Sequence, residues 1–235
     1  MRGIGKTTLA RAIYDELSHG FDRSCFLLNV REKSGKDGLV SLQEKLLSRI
    51  LRAKVDIEDE YAGATMIERR LCKLKVLVVI DDVDDLNQLD KLAGSRDWFG
   101  PGSRIIVTTP DIHLLRGHDV DVDATYKATG FTCGEAIQLI SLKAFKKNFP
   151  PENYLDLCHH IIGYAQGLPL ALAVLGSFLS SRSTNEWEST IERLHNTPNR
   201  QVMDVLQISF DGLEEKDQQI FLHIACLYKG RTGIV

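Results

Sequence analysis

The segment Gly3-Ile4-Gly5-Lys6-Thr7-Thr8 constrains the fold of this 235-residue chain more than any other. Gly5-Lys6-Thr7 ends the pattern G-x-x-x-x-G-K-[ST]. In that pattern, closely spaced glycines let backbone N–H groups face a phosphate, and the following helix presents its positive N-terminus. Lys6 is expected to reach the β- and γ-phosphates, and the Thr7 hydroxyl to hold Mg²⁺. A glycine-lysine turn before an ordinary amphipathic helix remains an alternative, because half a motif is less specific.

The first glycine of the full pattern would stand one residue before Met1. We therefore expect the chain to be a fragment that starts inside the loop. On this expectation, the strand that normally leads into such a loop is missing from the predicted sheet.

The first half of the sequence alternates strand-like and helix-like segments. Apolar runs predict strands at residues 25–30, 76–80 and 104–109, and a weaker strand near residues 124–128. Helical periodicity between them, at residues 39–51, 66–74 and 85–93, predicts an α/β fold with a doubly wound parallel sheet.

The second half is helical in pattern. Helices are predicted at residues 132–147, 154–165, 169–179, 186–195, 202–210 and 217–227. Thr132 and Glu135 form a possible capping box. The boundary between the two halves is predicted near residues 125–131.

Two carboxylates follow the strongest strand of the chain. The run VLVVI at residues 76–80 ends in Asp81-Asp82. The carboxyl ends of parallel strands carry the ligand site in α/β proteins, where one carboxylate can hold Mg²⁺ and a second can orient water. A surface turn rich in aspartate is the alternative, and the phosphate loop earlier in the chain weakens it.

Composition narrows the class of protein. The formal net charge of −3 argues against general binding of polyanions, and we predict no direct nucleic-acid partner. Five scattered cysteines without a C-x-x-C pair are typical of reduced thiols and predict a cytoplasmic protein, with the nucleus as a second compartment. No apolar run approaches the ~20 residues that a membrane span requires.

In its ordered motifs, the chain resembles the NB-ARC domain of plant disease-resistance proteins, in the branch that carries an N-terminal TIR domain. The matching segments are residues 3–8 (GIGKTT), 21–32, 77–85 (LVVIDDVDD), 102–109 (GSRIIVTT), 167–172 (GLPLAL), 209–213 and 221–226. Asp84 stands where the other plant branch has tryptophan.

The resemblance implies a P-loop nucleotide-binding domain at residues 1–128, a four-helix bundle at 129–196 and the start of a winged-helix domain at 197–235. It implies ADP/ATP and Mg²⁺ as cofactors, and an ADP-bound resting state that exchanges for ATP to trigger defence signalling, with slow hydrolysis. The implied partners are TIR and leucine-rich-repeat regions of the same full-length chain, with homo-oligomers on activation.

The resemblance also assigns roles to individual residues. Asp82 would be catalytic, and Thr7 and Asp81 would bind the metal. The expected nucleotide-binding residues are Gly3, Ile4, Gly5, Lys6, Thr7, Thr8, Thr108 and Pro169. From sequence physics alone, Pro169 is simply a proline in the first turn of a helix.

One departure from the family pattern affects the predicted activity. Pro110 occupies the position after Thr108-Thr109 where the family usually has an arginine near the γ-phosphate. Proline supplies neither charge nor a donor, so ATP sensing or turnover is expected to be impaired. Two alternatives to the switch remain. One is a degenerate protein that acts as an interaction scaffold, which Pro110 favours, and the other is a turnover P-loop ATPase, which Pro110 argues against.

Overall fold

The structure is a computed structural model that describes residues 3–118 and 122–195. The chain divides into two compact units. The sheet unit contains residues 6–118 and 122–127, and the helical unit contains residues 3–5 and 128–195. The helices predicted at residues 202–210 and 217–227, and with them the predicted winged-helix start, lie outside the described residues.

A three-stranded parallel sheet forms the centre of the sheet unit. The strands are β1 (Arg23–Leu27), β2 (Val76–Ile80) and β3 (Arg104–Val107), in the order β1-β2-β3. All five residues of β2 are buried, as its continuous apolar sequence requires for a strand with a neighbour on each side. The predicted α/β fold with a parallel sheet is confirmed.

Helices surround this sheet. They are α1 (Lys6–Leu17), α2 (Val30–Leu51), α3 (Glu60–Leu71), α4 (Leu86–Ala93) and α5 (Ile112–Gly117). α2 is kinked at Gly38, whose φ of 78° is left-handed. Its apolar face, with Leu42, Leu46 and Leu47, is buried in the core beneath the sheet.

A buried glutamine connects three of these helices. Gln43 of α2 is 0 % exposed, and its Nε2 donates to the carbonyl oxygens of Glu60 (2.9 Å) and Lys91 (2.8 Å). Glu60 begins α3 and Lys91 lies in α4. Because Gln43 is buried, a polar group that lost one of these hydrogen bonds would have no water to replace it, so the loss would be costly.

The helical unit contains four described helices. They are α6 (Cys133–Phe145), α7 (Leu155–Ala165), α8 (Pro169–Phe178) and α9 (Thr184–His195). The predicted capping box of α6 is present, because Thr132 and Glu135 bond each other's backbone N–H. Trp187 is fully buried, stacks on Phe145 and donates its Nε1–H to the Leu179 carbonyl oxygen at 3.1 Å.

Two strand predictions are wrong. The strand predicted at residues 25–30 is shifted: β1 ends at Leu27, and Val30 already begins α2. Asn29 has a φ of 53°, and this left-handed residue turns the chain out of the sheet. The predicted strand at 124–128 is absent from the described residues there: a short 3₁₀ helix covers Val122–Ala124, and Tyr126 is 76 % exposed.

Across the described ranges, no helix is both long enough and apolar enough to cross a membrane.

Candidate functional site

The chain enters α1 from the glycine-rich segment, and α1 begins at Lys6. Gly3 and Gly5 have φ values of 77° and 90°, in the left-handed region that favours glycine. Lys6, Thr7 and Thr8 therefore occupy the first turn of a helix, where backbone N–H groups have no acceptor within the helix. This local arrangement is the one that the motif predicts.

The Thr7 hydroxyl connects this first turn to the end of β2. Its Oγ1 donates to Oδ1 of Asp81 at 2.8 Å, although 74 residues separate the two in sequence. Asp81 directly follows β2, and its backbone N–H donates to the Leu27 carbonyl oxygen of β1 at 2.9 Å. The strand pairing therefore fixes where this carboxylate lies.

Three donors satisfy the buried carboxylate of Asp81, which is 0 % exposed. Oδ1 also accepts from the Thr108 hydroxyl at 2.7 Å, and Oδ2 accepts from the Asn29 backbone N–H at 3.4 Å. A buried charge is tolerated only with such partners. The threonine hydroxyl and the carboxylate are hard oxygen donors of the kind that Mg²⁺ prefers, so the donor set of Thr7 and Asp81 fits that ion.

Thr108 bonds both predicted acidic residues. Its Oγ1 donates to Asp81 and accepts the backbone N–H of Asp82 at 2.9 Å. Thr108 directly follows β3 and is 8 % exposed. It therefore fixes the carboxyl end of β2 from the neighbouring strand.

Asp82 differs from Asp81 in backbone and environment. Its φ of 59° is left-handed, and it is less buried than Asp81. An Arg31 Nη2 lies 2.8 Å from Asp82 Oδ2, and Arg31 Nε lies 4.0 Å from Asp84 Oδ2. The carboxylate predicted to be catalytic is thus ion-paired in this structure.

The four aspartates at residues 81–85 differ in burial and in hydrogen bonding, so they are not simply an acidic turn on the surface. Asp81 is buried, while Asp85 caps α4 and accepts from the Asn87 N–H at 2.8 Å. Gln88 bonds both the Asp84 backbone N–H (3.0 Å) and the Ser34 hydroxyl (2.8 Å). These bonds hold the turn after β2 against the first part of α2.

The remaining predicted residues lie in the helical unit. Ile4 belongs to its apolar core and is 8 % exposed. The Gly3 carbonyl oxygen accepts the Leu170 backbone N–H at 3.3 Å, and a Cβ on Gly3 would lie 3.1 Å from the Leu170 Cβ. Pro169 is the first residue of α8, so the start of the loop lies against the first turn of that helix.

The structure therefore brings Thr7, Asp81, Asp82 and Thr108 together in the sheet unit. The contact of Arg31 with Asp82 was not predicted from the sequence. Residues 30–32 belong to a segment that resembles the family. Because the sequence predicts a strand that continues to Val30, it does not predict that Arg31 lies near the end of β2.

No cluster of three or more His, Cys, Asp or Glu side chains suited to a metal occurs within residues 3–118 and 122–195.

The central strand of the parallel sheet is followed by a buried aspartate. This aspartate accepts a hydrogen bond from a threonine in the first turn of the helix that follows the glycine-rich segment. These features define a nucleotide-binding domain of the P-loop class. Comparison with known proteins agrees with this class. The NB-ARC domain family matches residues 1–149. The chain belongs to the NB-ARC family.

Its relatives include plant disease-resistance proteins, which confirms the predicted resemblance. The chain is 45 % identical over 231 residues to disease resistance protein RUN1 of Vitis rotundifolia, covering 97 % of this chain and 17 % of that protein. It is 45 % identical over 237 residues to TMV resistance protein N of Nicotiana glutinosa, covering 98 % and 20 %. It is 42 % identical over 231 residues to disease resistance protein RPP5 of Arabidopsis thaliana, covering 97 % and 16 %. The chain thus spans about a fifth or less of the length of these relatives.

Proposed function

We propose that this chain is an ADP/ATP-binding switch module of a plant immune receptor. The observation that carries the proposal is the hydrogen-bonded cluster of Thr7, Asp81 and Thr108 at the first turn of α1. Membership of the NB-ARC family supports nucleotide binding. The switch itself is what the resemblance to the NB-ARC domain of plant disease-resistance proteins implies.

Each residue has a proposed task. Lys6 and the backbone N–H groups of the loop bind the phosphates, and Thr7 with Asp81 holds Mg²⁺. When bound, Mg²⁺ would neutralise phosphate charge. Thr108 keeps Asp81 and Asp82 in position, and Asp82 orients a water for slow hydrolysis. Gly3, Ile4, Gly5, Thr8 and Pro169 complete the proposed nucleotide contacts.

The proposed switch has two states, an ADP-bound resting state and an ATP-bound signalling state. A change from 1:99 to 99:1 between such states requires ATP to favour the second by about 5.5 kcal/mol over ADP. We further propose that the module works beside TIR and leucine-rich-repeat regions of a longer chain, in the cytoplasm or nucleus, and forms homo-oligomers when activated.

The test is binding of Mg-ADP to the 235-residue chain by calorimetry, with the variant Lys6→Ala. We expect the variant to bind ADP at least about tenfold more weakly, because a charge-assisted contact to phosphate is lost. Lys54→Ala is the matched control, since the Lys54 side chain is 87 % exposed and its ion partner is Asp56.

Equal ADP binding by the wild-type chain and Lys6→Ala would contradict the switch and favour the interaction scaffold. Steady-state phosphate release separates the third candidate: turnover of several per second would indicate a working ATPase.

A further inference from the structure

Arg31 is the second residue of α2 and lies at the carboxyl edge of the sheet. Its backbone N–H donates to the Asp82 carbonyl oxygen at 3.2 Å, while that of Val30 donates to the Asp81 carbonyl oxygen at 2.8 Å. The start of α2 is therefore bonded to both acidic residues of the site through main-chain atoms. This arrangement fixes the Arg31 backbone next to the site.

The guanidinium pairs with Asp82 in a partly solvated position. Nη2 lies 2.8 Å from Asp82 Oδ2, with the two side chains 32 % and 25 % exposed. Ion pairs with this much solvent access contribute little net stability. The pair can therefore exchange for a stronger anion at small cost.

A terminal phosphate is such an anion. A guanidinium binds phosphate through two parallel N–H···O bonds, and this fork is available only to arginine. The neighbouring Lys33 is less suited, because an ammonium lacks the planar fork of a guanidinium. Pro110, after β3, contributes no cation to this edge of the sheet.

We propose that Arg31 discriminates ATP from ADP by exchanging partners. Without a γ-phosphate, Arg31 stays paired with Asp82. With a γ-phosphate, it leaves Asp82 and binds the additional phosphate charge, which also releases the Asp82 carboxylate to face water. This inference rests on the proposed nucleotide site and assigns its regulation to a residue outside the loop and the two aspartates.

The experiment compares dissociation constants of the 235-residue chain for Mg-ADP and for Mg-ATPγS, a slowly hydrolysed analogue, and uses their ratio as the readout. Arg31→Gln should reduce the preference for ATPγS over ADP about tenfold, as expected for loss of hydrogen bonds to a charged group. Arg31→Lys keeps the charge without the fork and should lie between the wild type and Arg31→Gln.

Arg104→Gln is the matched control. Arg104 is exposed, and its Cα pairs with that of Leu77, so it begins β3 at the edge of the sheet opposite the site. Removing this arginine changes the net charge of the sheet unit by the same amount as Arg31→Gln. We expect Arg104→Gln to leave the ratio of the two dissociation constants within twofold of the wild-type value, because salt screens a charge at the opposite edge of the sheet.

A double-mutant cycle tests the exchange of partners. Asp82→Asn should raise the preference for ATPγS about threefold or more in the wild-type background and clearly less in the Arg31→Gln background, because it acts through the released guanidinium. Equal effects of Asp82→Asn in both backgrounds would overturn the exchange.

The two proposals fail in different ways. If the wild-type chain binds both nucleotides and Arg31→Gln leaves the ratio unchanged, the inference about Arg31 is refuted and the proposed function stands. If the wild-type chain binds neither nucleotide, both are refuted. Measurable ADP binding by Arg31→Gln shows that this variant is folded. If it does not fold, the ratio of the two dissociation constants is compared between the wild type and Arg31→Lys.

Discussion

Replacing Thr108 with valine should separate the contribution of the Thr108 hydroxyl from that of its shape. Valine has nearly the same volume and the same branching as threonine but no hydroxyl. In the structure, that hydroxyl donates to Asp81 Oδ1 at 2.7 Å and accepts the Asp82 N–H at 2.9 Å. Thr108→Val therefore removes one donor from a buried carboxylate and the acceptor of a partly buried N–H.

The magnitude follows from these two bonds. Loss of a hydrogen bond to a charged group costs about 1.5–3 kcal/mol, and an unsatisfied N–H costs about 1–3 kcal/mol when buried. Because the Asp82 N–H is partly accessible to water, we take the lower part of its range. The expected loss in the free energy of unfolding of the sheet unit is about 2.5–4 kcal/mol.

Urea unfolding followed by tryptophan fluorescence measures this loss. The chain has two tryptophans, of which Trp98 packs against the core of the sheet unit and Trp187 lies in that of the helical unit. In a Trp187→Phe background, Trp98 alone reports on the sheet unit, and each Thr108 variant is compared with that background.

Thr109→Val is the matched control, because the Thr109 hydroxyl makes only local bonds with the backbone of Asp111, at 3.2 and 3.0 Å. Its cost should stay below about 1 kcal/mol. Thr108→Ser keeps the hydroxyl and should recover most of the stability that Thr108→Val loses. The reasoning is refuted if Thr108→Val destabilises the sheet unit no more than Thr109→Val does.

Two further predictions concern the core of the sheet unit. Gly63→Ala should cost about 2–4 kcal/mol in urea unfolding, because its Cβ would overlap the side-chain amide of buried Gln43 and break the two hydrogen bonds that the Gln43 Nε2 donates. Gly35→Ala has open space and should be neutral or stabilising, so equal losses at both glycines would contradict the packing argument. Burial raises the pKa of the Cys25 thiol from 9.0 to about 11, so the unfolded chain ionises first and stability is lost between pH 9 and 11. Over that range Cys25→Ala should flatten the fall in unfolding free energy by up to about 1.4 kcal/mol per pH unit, and an unchanged slope would exclude Cys25 as its cause.

Local pattern predicted those elements whose burial is evident in the sequence. The continuous apolar run at residues 76–80 is β2 with the predicted bounds, and α7 and α9 begin within two residues of their predicted starts. The start of a helix was predicted less well where its first turns are polar. The helix α3 begins at Glu60, six residues before the predicted start at Met66. There the Asp59 side chain caps the helix and supplies the start that periodicity did not reveal.

The error at residues 28–30 has a different cause. These residues continue an apolar strand in sequence, but the Val30 N–H bonds the Asp81 carbonyl oxygen, 51 residues away, and not a residue of the sheet ladder. Asn29 accommodates the turn with a left-handed backbone. A pattern read along the chain cannot detect a bond of this kind, because it exists only after β1 and β2 have paired.

The sequence by itself determined the residue types that the candidate site needs: a glycine-rich loop, a lysine and threonine at a helix start, and two aspartates after a buried strand. Those choices are local, since each depends on side-chain chemistry and on neighbours a few residues away. The tertiary structure decided which groups meet: Thr7 and Thr108 on Asp81, and Arg31 on Asp82. Parallel pairing of β1, β2 and β3 sets these contacts, because it places the ends of segments far apart in sequence at one edge of a single sheet.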